Sequence, residues 1–131
     1  MIIILILIFV LPLLWILVGS IIEKHYSDFP DTTCGYHIGK LAPKNMDTWQ
    51  TANEYAGKAF KAIGIMTLIV NLMVILIFFG MSGMLNMKLK TMLIFLSAYF
   101  YFMLIVILLF VPIFTTQKML KKTFNSDGSR K

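Results

Sequence analysis

The side chains able to do chemistry are concentrated in one polar stretch, Glu23 to Lys58. It contains Cys34-Gly35-Tyr36-His37, then Lys44-Asn45-Met46-Asp47-Thr48-Trp49, then Ala52-Asn53 and Gly57. Cys34 and His37 have a C-x-x-H spacing, with His25, Asp28 and Asp31 close in sequence. A structural zinc site takes about four ligands, mostly Cys and His. Two soft ligands fall short of that, so we assign no metal. Ser and Thr occur in the stretch, but no spacing pairs a nucleophile with a base. Gly35-x-x-x-Gly39 lacks the strand, lysine and helix of a phosphate loop. The expected chemistry is recognition by hydrogen bonds, aromatic faces and charge, without catalysis or a cofactor.

What must position these residues is apolar. Of 131 residues, 59% are hydrophobic and 14% charged, against roughly a quarter charged in soluble domains. Mean hydropathy is +0.84. Three uncharged blocks, about residues 2–22, 62–85 and 92–114, exceed the roughly 18 apolar residues needed to cross a bilayer. The expected fold is an all-α membrane protein, one integral domain over 1–131, with three transmembrane helices. Met1 leads straight into Ile2-Ile3-Ile4 without a basic residue, so the first block is expected to stay as a span and not be cleaved as a signal peptide.

Charge sets the expected orientation. Ten of the twelve Lys and Arg lie in the loop 23–58, at its boundary Lys61, or in the tail 115–131; only Lys88 and Lys90 lie on the other side. By the positive-inside rule, loop and tail face the cytoplasm and the N-terminus lies outside. The net charge of +6 is concentrated in the tail, where Lys118, Lys121 and Lys122 border a span. Anionic lipid headgroups explain this more simply than nucleic acid does. Cys34 is the sole cysteine, which suits a cytoplasmic loop.

Residues 27–43 carry Pro30, Gly35, Gly39 and Pro43 and read as irregular structure. Asn45 or Asp47 is a suitable N-cap, with Gln50 a capping-box partner for Asp47. Beyond it, Trp49, Ala52, Asn53, Ala56, Ala59, Phe60 and Ile63 share one helical face. Asp47, Gln50, Thr51, Glu54, Lys58 and Lys61 share the other, Glu54 and Lys58 being an i,i+4 pair. This predicts an interfacial amphipathic helix between spans 1 and 2, running into span 2, with Trp49 at the headgroup level. In the same phase, Asn53, Gly57, Gly64 and Asn71 form a narrow stripe, most simply a helix-contact stripe. Gly80, Ser82, Gly83 and Asn86 turn the chain into span 3. The polar tail after Lys122 has the composition of a frayed end.

Gly35-Tyr36, Lys44-Asn45, Trp49, Ala52-Asn53 and Gly57 together resemble the SdpI family of small bacterial membrane proteins, over about Cys34 to Gly64. His37 and Ile38 stand where that family usually has Arg and Thr. Histidine lacks the permanent charge and planar fork of arginine. The resemblance implies immunity against a membrane-active peptide toxin, or holding of a cytoplasmic regulator protein at the membrane. It places partner binding at Gly35, Tyr36, His37, Lys44, Asn45, Trp49, Asn53 and Gly57. A small transporter or an accessory subunit of a membrane complex is the alternative, and an oligomer is compatible with either.

Overall fold

The structure is a computed structural model. It describes the backbone of residues 2–81, 83 and 85–131, and their side chains from Ile8 onward except Met81. Three helices form: α1 (Ile2–Lys24), α2 (Met46–Met81) and α3 (Met87–Thr123). No strand occurs among the described residues. Two helices, α2 and α3, are long and apolar enough to cross a membrane. The turn between them ends at Asn86, whose side chain accepts from Leu89 N at 2.9 Å and caps α3. Ser82, expected in this turn, lies outside the described residues.

No separate helix stands between α1 and α2. The segment expected to form one makes up the first turns of a single 36-residue α2. At 1.5 Å per residue α2 is about 54 Å long, against a hydrocarbon core of about 30 Å. The excess carries the polar residues beyond an apolar belt. In that belt most large side chains are exposed, including Met66, Leu76 and Phe79 on α2 and Phe95, Phe102 and Phe114 on α3. A compact head stands at one end of the belt. Its core is Tyr36, Ala42, Ala52, Ala56, Leu120 and Phe124, drawn from the loop, α2, the end of α3 and the tail.

Helices α1 and α2 approach backbone to backbone. A Cβ on Gly57 would lie 2.6 Å from Gly19 O and 2.7 Å from Glu23 N. Gly64 sits similarly against the Pro12 carbonyl and Ile16. Small residues permit such contact, and Gly57 and Gly64 lie against α1 at these points. At its head end Glu23 and Lys61 form an ion pair, so Lys61 leaves the solvent face expected for it.

Further along the stripe, Asn71 answers a defect created by Pro12. Proline has no N–H, so the carbonyl four residues earlier, Ile8 O, loses its helical donor. Asn71 Nδ2 donates to Ile8 O at 2.7 Å, and Tyr101 Oη donates to the same oxygen at 3.3 Å. Asn71 Nδ2 also donates to Tyr101 Oη at 2.8 Å. One freed carbonyl thus ties all three helices. The two residues should be coupled in mutant cycles. With Pro12 present, Asn71→Leu leaves the carbonyl only the longer Tyr101 bond, but Pro12→Ala restores a backbone donor and removes much of that loss. We expect a coupling of about 0.6–1.7 kcal/mol, the range for interhelical polar contacts in apolar surroundings. Additive unfolding free energies for the two changes in detergent would exclude the link.

Candidate functional site

Trp49 and Asn53 stand one turn apart on α2, and the loop is built onto them. Asn53 is fully buried. Its Nδ2 donates to Trp49 O at 2.8 Å, and its Oδ1 accepts from Tyr36 N at 2.5 Å. Trp49 is 1% exposed and its Nε1 donates to Ser27 O at 2.7 Å. Tyr26 meets the indole edge-on at 6.5 Å and His37 lies parallel to it at 6.4 Å. Trp49 therefore anchors the loop instead of facing lipid headgroups. The face that carries Trp49, Ala52, Asn53 and Ala56 is filled by protein.

Gly35 makes this close approach feasible. Its φ is +141°, and a Cβ there would lie 2.9 Å from the Trp49 ring. A side chain would be strained by the backbone and blocked by the indole. Upstream, Ser27 and Cys34 close the loop by reciprocal bonds, Ser27 N to Cys34 O at 2.8 Å and Cys34 N to Ser27 Oγ at 2.9 Å. The exposed Cys34 thiol bonds to the backbone carbonyl of His25. Among the described residues no three His, Cys, Asp or Glu side chains come together.

Tyr36 carries the loop across to α3. Its hydroxyl donates to Ile113 O at 3.2 Å and accepts from Gln117 Nε2 at 3.2 Å, while Gln117 also donates to Ile38 O. Burial pushes the Tyr36 phenol up, partly offset by the Gln117 bond, so it stays a neutral donor. The next four residues, His37, Ile38, Gly39 and Lys40, are exposed. The knot thus displays this segment beside α3.

A second cluster forms where α2 begins. Asn45 is the N-cap: its Oδ1 accepts from Thr48 N at 2.9 Å while Thr48 Oγ1 accepts from Asn45 N at 3.0 Å. This reciprocal arrangement is a capping box with threonine as the partner. Gln50 instead donates to Glu54. The other arm of Asn45 donates to Gly128 O at 2.9 Å, and Lys44 Nζ to Ser126 O at 2.8 Å. The tail is therefore folded and not frayed. Phe124 is 1% exposed in the core, and Arg130 forks onto Asp47 with bonds of 2.6 and 2.7 Å.

The Arg130 guanidinium holds the Asp47 carboxyl below its usual range. A depressed pKa means the contact is complete above the ordinary carboxylate range, near 4, and is lost as pH falls through the lower folded value. Tail docking should loosen only in strong acid. Asp47→Asn should loosen it at neutral pH, read as faster amide exchange at Asn125 and Lys131. Unchanged exchange in that variant would show that Asn45 and Phe124 suffice.

The motif residues thus divide into groups. Gly35, Tyr36, His37, Trp49 and Asn53 form one knot, and Lys44 and Asn45 hold the tail. Gly57, Gly64 and Asn71 contact α1. Sequence reasoning missed Gln117, Ser27, Tyr26, Phe124 and the Asp47–Arg130 pair. Phe124 was the available signal, a lone aromatic in an otherwise polar tail. No protein-family model, curated protein or solved structure matches this chain.

Proposed function

We propose that the chain is a membrane protein of three spans, α1 to α3, whose head is a recognition surface at the headgroup level. It serves in immunity against a membrane-active peptide, or in signalling by holding a regulator. The loop, the first amphipathic turns of α2 and the tail form that surface on the cytoplasmic side, with the N-terminus outside.

The observation that carries this reading is the fixed display of His37–Lys40 at the edge of the apolar belt. Tyr36 is pinned on one side of the segment by Asn53, and Ile38 O on the other by Gln117. Such a mount orders the loop before a partner arrives, so less conformational entropy is lost on binding. A peptide inserting into the bilayer must pass this level. The similarity of Gly35-Tyr36, Trp49 and Asn53 to the SdpI pattern supports the same reading.

The test is a challenge of bacterial cells, with and without the chain, by a panel of secreted membrane-active peptides. Expression should raise the inhibitory concentration of at least one peptide, and Gln117→Ala should reduce that gain at equal protein level. No protection against any peptide, combined with recovery of the chain in a larger membrane complex, would favour an accessory subunit.

A further inference from the structure

A groove of about 760 Å³ lies between the loop, the end of α3 and the tail. Lys40, Lys44, Lys121 and Lys131 line it, with Leu41 and Phe124 among its apolar walls. These lysines come from three segments of the chain, the loop (Lys40 and Lys44), the end of α3 (Lys121) and the tail (Lys131), and only folding brings the three together. None forms an ion pair among the described residues, whereas Lys61 and Arg130 do. Lys44 and Lys131 are held by backbone carbonyls, Ser126 O and Lys121 O, which orient the ammonium groups without neutralising them. Asp127 feels the charge of Lys44, but its carboxylate already accepts from Ser129 N and Oγ.

The depth of the groove narrows the occupant. Residues 91–117 of α3 are uncharged and Phe114 is openly exposed. Gln117 and Lys121, which line the groove, therefore begin where the apolar belt ends and rise about 6 Å beyond it. Headgroups add about 5–8 Å to each side of the hydrocarbon. On that scale Lys121 reaches the depth of the lipid phosphates.

We propose that this groove binds the phosphate of an anionic phospholipid, with Lys40, Lys44 and Lys121 around the phosphate and Leu41 beside the glycerol. This is independent of the peptide reading, because it requires no toxin or regulator. Gly39 fixes the position of Lys40: its φ is +87°, and the Gln117 amide occupies the space a side chain would need.

The full chain is reconstituted in phosphatidylcholine vesicles with a minor share of phosphatidylglycerol, and retained lipid is counted by native mass spectrometry. Phosphatidylglycerol should be enriched over its bulk share. Replacing Lys40, Lys44 and Lys121 by Gln should lower the enrichment by about fivefold per lysine. Replacing Lys58, Lys118 and Lys122 by Gln removes equal charge from the same end and should leave most of it. Tyr36 amide protection in both triple variants checks that the head still folds. No enrichment in the wild type, or equal loss in the two triples, overturns the site in favour of diffuse attraction. Full displacement of the lipid by inorganic phosphate overturns the lipid assignment.

Discussion

Asn53→Ala is expected to leave the three helices in place and release the loop from them. Alanine keeps helix propensity high, so α2 itself gains rather than loses. What disappears is the acceptor for Tyr36 N and the donor to Trp49 O. A buried backbone N–H without a partner costs about 1–3 kcal/mol. The Tyr36 amide should therefore lose protection against exchange by about 5- to 150-fold. Asn53→Asp should be worse, since it keeps an acceptor but buries a carboxylate with no cation beside it. Under the proposed function, Asn53→Ala abolishes protection while the chain accumulates normally, because His37–Lys40 is no longer held. Unchanged exchange at Tyr36 would show that Gly35, Trp49 and Gln117 fix the loop without the amide, and Asn53 would lose its positioning role.

Why Asn53 could be found from sequence while its partners could not is a matter of range. Helical phase is local: residues one turn apart share a face, so Trp49, Ala52, Asn53 and Ala56 were legible together. The same phase led through Gly57 and Gly64 to Asn71, and uninterrupted apolar runs marked the long helices. What fills a face depends on chain far away. Tyr36 reaches α3 at Ile113 and Gln117, some 80 residues on, and no period connects an irregular loop to a distant helix. Pro12 and Asn71 were each visible, yet their link rests on a carbonyl, which no side-chain pattern records. The tail misled because its composition is that of a disordered end. Its order comes from Phe124 and Arg130, which have a place only once the loop has made one. The groove lysines were read apart for the same reason, Lys121 as a charge bordering a span and Lys44 as part of the partner-binding motif.

Gly57→Ala should have the largest effect of any single added methyl group in the helices. The new Cβ would meet Gly19 O at 2.6 Å and Glu23 N at 2.7 Å, and these are backbone atoms that cannot rotate away. The helices must separate, and over-packing of this kind costs about 1–3 kcal/mol or more. Separation would also draw Glu23 away from Lys61 and weaken the head's attachment to α1. Gly80 supplies the control, because among the described residues a Cβ there meets nothing within 4 Å. Gly80→Ala removes backbone freedom without a clash and should be neutral or stabilising by up to about 1 kcal/mol. Unfolding of both variants in the same detergent separates the two effects. Gly19→Ala opposes Gly57 across one contact, so the double variant should lose much less than the sum of the singles. Once the first methyl has parted the helices, the second finds room. Strict additivity would mean that α1 and α2 do not meet at these glycines, and the stripe would then need another neighbour.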